Sequence, residues 1–428
     1  MKQKLVGLCV SIIVFLFSAE LLSLGWYSLG NGGLFYTSDK PQLLAEAKEA
    51  ETEELANLRF HPYFGFFSYP ELGNNHNFYF PQDYPYARKN ENEFIIAVFG
   101  GSVAVNFVYE GNDLEGKTRL IENLKQHPFF EDKEITILPF CVGGYKQPQQ
   151  LLVLNYYLAI GQELDMVINL DGFNEVALSN ANNQRGIDIA MPNEAAMLPM
   201  INLIDQKTLT SAKLESLAKI DRYKRRLRQV TQRMEEANLA STYFVLKQFY
   251  KILYSGYTRE LVTFEQLEDN LSNQSLIFIY TMESLDGSIL FDRIAMQWAN
   301  CSILMSQILK SRGIPYFHFL QPNQYYSEKP FSDEEVRVAL NRNLHAYSTG
   351  ASKGYPALIA KSELLEQNGV GFYNATHIFD AELRTLYIDD CCHFNRLGNE
   401  LLADFIASSI LESEEFQKLI EEIQQTGS

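Results

Sequence analysis

From residue 94 onward the chain alternates between short β-rich runs and stretches with apolar residues at three- and four-residue spacing, and this alternation limits the fold more than any other feature. The β-type runs are FIIAVF at 94–99, ITILPF at 135–140, MVINL at 166–170, IPYFHFL at 314–320 and GFYNATHIF at 371–379. Between them lie LEGKTRLIENLKQH, QPQQLLVLNYYLAIGQ and ILFDRIAMQWANCSILMSQILKSRG, each with the helical period. Strands alternating with helices predict parallel βαβ units and an α/β sandwich. The segment NRLGNELLADFIASSILESEEFQKLIEEIQQ closes the chain as an amphipathic helix. The third and fourth runs are separated by roughly 140 residues, too many for one crossover, so an inserted helical subdomain is expected over about 178–285. Its basic cluster RYKRRLRQ reads first as a solvated helix face.

The N-terminus is the sharpest compositional break. Lys2 and Lys4 precede an apolar run from Leu5 to Ala19, and beyond Glu20 the segment Leu21 to Trp26 extends it to a length of about 20 residues, enough to span a bilayer. Residues 1–26 are therefore expected to be a membrane anchor, with the lysines on the cytoplasmic side and the rest of the chain exported to the periplasm or beyond. A cleaved signal peptide ending near Ser23-Leu24-Gly25 and a buried N-terminal helix are the alternatives. Residues 27–93 read as a connector with a short acidic helix, LLAEAKEAETEELANL, and an irregular aromatic lead-in. The main domain is expected over 94–428. A net charge of −17 across 428 residues argues against a nucleic-acid partner, which would need a basic stripe. Five cysteines are too few for a disulfide scaffold, and no CxxC pair or His-rich tract points to a metal site.

In a parallel sheet, ligands sit beyond the C-terminal strand ends, beside a switch in strand order. Gly100-Gly101-Ser102 follows the first run, and Gly143-Gly144 follows the second. Gly172 and Asn174 follow the third, and DDCCHFNRLGN, with Asp390 and His393, follows the last. Each element alone has an ordinary reading as a turn, a helix cap or a structural histidine. Serine, glycine, asparagine and histidine at four strand ends of one sheet are harder to dismiss together.

These blocks resemble the SGNH (GDSL-like) hydrolase family, over about residues 94–410. VFGGS is similar to the nucleophile block and FCVGGY to the second block; DGFNE is similar to the third, and DDCCHFNRLGN to the D-x-x-H block. HPYFGF, FLQPNQYY and the N-terminal anchor look like exported bacterial members. The resemblance implies a flavodoxin-like three-layer α/β/α sandwich with a helical insertion and an N-terminal transmembrane helix. It implies a catalytic triad of Ser102, Asp390 and His393, with Ser102, Gly144 and Asn174 as the oxyanion hole. The D-x-x-H spacing selects Asp390 over the adjacent Asp389 as the orienting acid. Three positions depart from the family pattern: Gly101 where Asp is usual, Pro139 where Asn is usual, and Glu175 where Asp is commoner.

The chemistry agrees with the residue types. A serine hydroxyl needs a neighbouring base, and His393 is the base offered. A carboxylate at Nδ1 fixes the imidazole tautomer, and backbone N–H groups with an Asn amide stabilise a tetrahedral oxyanion. The expected activity is that of a serine esterase acting through an acyl-enzyme on an acyl or acetyl ester, with a cell-envelope or extracellular glycan as the carbohydrate partner. A polysaccharide O-acetyltransferase using the same site and a catalytically silent envelope scaffold are the alternatives. No metal or organic cofactor is needed by this mechanism. Cys141, Cys391 and Cys392 are expected in loops bordering the cleft, as packed thiols or with Cys141 in a loop-to-loop disulfide.

Overall fold

The computed structural model describes residues 2–31, 33–36, 58–68, 85–108, 116–204, 210–267, 278–340 and 345–426. The acidic connector helix expected over 43–58 lies outside them, apart from Leu58. The described chain separates into two compact units, one of residues 1–57 with 201–277 and the other of residues 58–200 with 278–428.

The larger unit is an α/β fold. A two-stranded antiparallel hairpin, β1 (Leu58–His61) and β2 (Gly65–Ser68), precedes the sheet within the segment read from sequence as irregular. The main sheet has five parallel strands: β3 (Glu93–Gly100), β4 (Glu134–Cys141), β5 (Met166–Asp171), β6 (Tyr316–Leu320) and β7 (Gly371–Asn374). Their order is β4-β3-β5-β6-β7. All eight β3 residues are buried, as expected of a central strand covered on both faces, which is why it reads as a continuous apolar run rather than an alternation. Edge strand β7 is short and only half-buried, which limits the unpaired backbone it presents. The chain passes from β3 to β4 on one side and then to β5 on the other. The direction of sheet growth therefore reverses at β3, and a crevice opens beyond its C-terminal end.

The other unit is helical where described. Helix α1 (Lys2–Asn31) carries the sequence of the expected anchor; the side chains of residues 2–9, 12, 13, 30 and 31 lie outside the described residues. Among the described residues, no helix is long and apolar enough to cross a membrane. Two further helices, here α5 (Ser211–Glu235) and α6 (Ala240–Gln266), form the central part of the expected insertion. Tyr27 of α1 packs edge-on against Tyr243 of α6 at 5.7 Å, and Trp26 against Phe244 at 5.1 Å. The Glu20 carboxylate accepts the Ala240 and Ser241 N–H groups at 2.7 and 3.0 Å, capping the first turn of α6, where the helix dipole favours an anion.

Candidate active site

Strand β3 ends at Gly100, where φ is +150°, and a Cβ there would stand 2.1 Å from the Leu170 carbonyl oxygen of β5. A Cβ on Gly101 would stand 2.1 Å from Asn174 Nδ2. The two glycines thus have separate causes: the first lets two strands approach, and the second leaves space for an amide side chain. Ser102 follows at once and begins the short helix α2 (Ser102–Val108).

Ser102 Oγ lies 2.7 Å from His393 Nε2, although 291 positions separate the two residues in sequence. The other imidazole nitrogen, Nδ1, meets a carboxylate oxygen of Asp389. Asp390, expected to fill this role, does not. The cause is the turn between residues 389 and 393. Asp389 Oδ1 accepts the N–H groups of Cys391, Cys392 and His393 at 3.0, 3.1 and 3.2 Å, so the backbone winds around that carboxylate and aims Oδ2 at the ring four residues on. Asp390 instead offers its backbone carbonyl to the Tyr325 hydroxyl at 2.7 Å. Asp389 is held below its ordinary pKa: burial opposes this, and the His393 imidazole and the backbone donors outweigh it. His393 is displaced upward; burial lowers it, while the neighbouring Cys392 and Asp389 raise it further than that.

Of the residues expected to supply oxyanion donors, Asn174 lies against Gly101, next to the serine. A Cβ on Gly143, two residues beyond β4, would stand 3.9 Å from Ser102 Cβ. Gly144 adopts φ +79°. Among the described residues the Gly144 N–H has no acceptor. Asn174 sits in the first turn of helix α4 (Phe173–Gln184), and its amide donates to the Tyr145 carbonyl at 2.8 Å, joining the β4 and β5 loops. Glu175 ties the same loops from below. Its carboxylate accepts Gly172 N–H at 2.8 Å and Gln147 N–H at 3.0 Å. Full burial, with Asp171 nearby, pushes it up to about 8.

Several supporting residues were not singled out in the sequence. Asn323 and Gln324 donate to the backbone carbonyls of Cys391 and Asp389, and together with Tyr325 they clamp the histidine turn. The stretch FLQPNQYY was noticed only as a likeness; its polar residues directly after a strand were the available signal. Glu335 is fully buried against Lys329 at 2.9 Å and accepts the N–H groups of Leu386 and Tyr387. Lys146, in the Gly-Gly loop, is also buried, which pulls its amine down to about 8.

A second Ser–His–Asp chain exists. Ser302 Oγ lies 2.7 Å from His318 Nδ1, and His318 Nε2 lies 2.9 Å from Asp171, which also accepts the Trp298 indole N–H. Ser302 and His318 have no exposed surface and Asp171 has 2%, so no substrate reaches this set. It holds helix α7 (Gly287–Lys310) to β5 and β6. By contrast, the His393 side chain is 19% exposed and Asp389 37%.

Cys141, Cys301, Cys391 and Cys392 are free thiols, and burial pushes Cys141 far up. Among the described residues one cluster could hold a metal: Cys391, Cys392 and His393, with ligand atoms within 4.8 Å of one another. A metal there would take an imidazole nitrogen from either Ser102 or Asp389, in competition with the contacts above. No protein-family model matches the chain, and a search of curated proteins returns no relative.

Proposed function

We propose that the chain is a serine esterase of the SGNH type, tethered to a membrane, with its hydrolytic unit outside the cytoplasm. The observation that carries this reading is the continuous hydrogen-bonded chain from Ser102 through His393 to Asp389, partly exposed beyond the strand ends. His393 Nε2 takes the Ser102 proton as Oγ attacks the ester carbonyl. Asp389 holds Nδ1–H and stabilises the imidazolium that forms. The oxyanion is received by the N–H groups of Ser102 and Gly144 and by the Asn174 amide; losing one such donor typically costs about 10²–10³ in rate. His393 returns its proton to the leaving alcohol and then activates water to release the acid. An acyl or acetyl ester on an envelope glycan fits an exported enzyme.

In this reading the larger unit is a flavodoxin-like three-layer sandwich, and residues 1–26 are an uncleaved anchor. Exposure of four consecutive apolar residues, Val14, Phe15, Leu16 and Phe17, supports the anchor, since four successive positions reach round a helix and the described residues leave these side chains uncovered. Turnover of p-nitrophenyl acetate by the full chain, beside Ser102→Ala and His393→Ala, tests the proposal. Hydrolysis lost in both variants supports it, and equal rates in all three refute it.

A further inference from the structure

Cys391 and Cys392 stand inside the turn that aims Asp389 at His393, with their sulfur atoms 3.3 Å apart. Cys391 is partly exposed, while Cys392 is 1% exposed. The mechanism above uses neither thiol. All three backbone donors on Asp389 Oδ1 belong to residues 391, 392 and 393, so the peptide joining the two cysteines is part of the scaffold that orients the acid. We propose that Cys391 and Cys392 form a redox modification site, which external disulfides convert to a Cys391–Cys392 disulfide, and that this conversion disengages Asp389 from His393. The consequence for catalysis rests on the serine-hydrolase reading; formation of the bond does not.

The chemistry balances as thiol–disulfide exchange. A cysteine thiolate of the pair attacks one sulfur of the external disulfide, giving a mixed disulfide and expelling one thiol. The second cysteine thiolate then attacks the first cysteine's sulfur and expels the other thiol. Two electrons and two protons leave the pair, and the oxidant departs as two thiols.

Geometry links the bond to the site. A disulfide needs sulfurs at about 2.05 Å, so the pair must close by about 1.2 Å. Adjacent residues have only their shared peptide between them, so closure rotates the backbone whose N–H groups Asp389 accepts. Gln324 and Tyr325 hold the two preceding carbonyls, of residues 389 and 390, so the motion falls on the 391–392 peptide itself, whose carbonyl meets Asn323 at 3.2 Å and whose N–H is given to Asp389. The turn therefore gives way at Asp389.

The test equilibrates the full-length protein in detergent across glutathione/glutathione disulfide ratios, followed by acid quenching and alkylation. Trypsin releases residues 385–396 between Arg384 and Arg396, and Cys391 and Cys392 are the only cysteines in that peptide. The expected result is an unalkylated peptide two hydrogens lighter under oxidising conditions, reversed by dithiothreitol. In parallel, the rate at which a fluorophosphonate labels Ser102 falls at least about tenfold, as expected when the base loses the carboxylate that orients it. Cys391→Ser, whatever its basal rate, labels equally fast in the oxidising and reducing buffers. A second readout needs no catalysis: the NMR titration of His393 in histidine-labelled protein moves down on oxidation by more than Cys392→Ser moves it, since the disulfide removes the Cys392 thiol and the Asp389 carboxylate together. Two alkylatable thiols at every ratio would overturn the proposal. So would a disulfide that forms while the His393 titration and Ser102 labelling stay unchanged. Failure of the reduced protein to label would count against the hydrolase reading alone, and the titration would then decide the redox proposal.

Discussion

The identity of the orienting acid is open to a sharp test, because Asp389 and Asp390 are neighbours and the structure assigns them different work. Asp389 makes one contact with the imidazole and three with backbone N–H groups. An asparagine at 389 keeps a carbonyl oxygen for the three N–H groups, so the turn survives. What changes is the atom facing Nδ1: an amide nitrogen there cannot accept a proton, and the ring must switch tautomer or turn away. Asp389→Asn should therefore lower kcat/KM about 10³–10⁴-fold. That corresponds to about 4–5.5 kcal/mol of lost transition-state stabilisation. The fold should change little, since the replaced side chain is 37% exposed and three of its four contacts persist. Asp390→Asn leaves the Tyr325–carbonyl contact in place and should keep activity within a few-fold. The assay is kcat/KM for p-nitrophenyl acetate across a pH series, with Ser102→Ala as background. Asp389→Asn should also draw the acidic limb of the profile downward, because a neutral amide no longer holds the proton on His393. An Asp390→Asn loss equal to or larger than that of Asp389→Asn would refute the assignment.

Other consequences follow from the same contacts. Activity of the wild type should require His393 neutral; because its pKa is raised, kcat/KM should climb with pH from above the usual histidine value of about 6.5, and a limb centred at or below that value would contradict the pairing. The sign for stability is opposite: protonated His393 stabilises the fold fully below about 6.5, and that contribution fades as pH rises through the folded pKa, which urea titrations at several pH values would detect. Gly101→Ala should fold but lose activity, since its Cβ displaces the Asn174 amide, whereas Gly100→Ala meets strand backbone and should lower the melting temperature more; calorimetry beside the esterase assay separates the two. Lys329→Met leaves Glu335 buried without its cation and should cost about 3–5 kcal/mol in denaturant unfolding.

The five strands were legible because a buried parallel strand leaves a short apolar run and its crossover helix leaves a period. The meeting of Ser102 and His393 was legible because strand ends of such a sheet converge. The choice between two adjacent aspartates was not, because it depends on how a five-residue turn winds, and the D-x-x-H spacing selected Asp390. The β1–β2 hairpin was missed for a related reason. LRFH and GFFS are too short to show alternation, and the signal at hand was Gly65, which turns with φ +82°. The buried pairs Lys329–Glu335 and Asp171–His318 were also silent, since a charged residue reads as surface until its partner is known. Among serine, histidine and aspartate sets, residue type and distance alone would have admitted Ser302–His318–Asp171 as readily as Ser102–His393–Asp389; burial is what separates a strut from a nucleophile.

Glu20 gives the clearest case of a residue whose meaning changes with structure. In the sequence it stands inside the run read as an anchor, where a lone carboxylate in hydrocarbon would be costly. In the fold it is not alone: the Ser241 hydroxyl and the N–H groups of Ala240 and Ser241 surround it, and the Tyr36 hydroxyl donates to it at 2.6 Å. The insertion thereby acquires a purpose that its charged, helical composition did not suggest. Tyr27, Phe35, Met234, Tyr243 and Tyr250 form a small core shared by α1 and the two inserted helices, so the segment read as an anchor and the segment read as an insertion fold as one body. Glu20→Ala should remove the cap from α6 at a cost of about 1 kcal/mol. If the two segments are one body, limited proteolysis should then cut within 211–266 sooner than in the parent chain, and an unchanged cleavage rate there would show that α6 holds without α1.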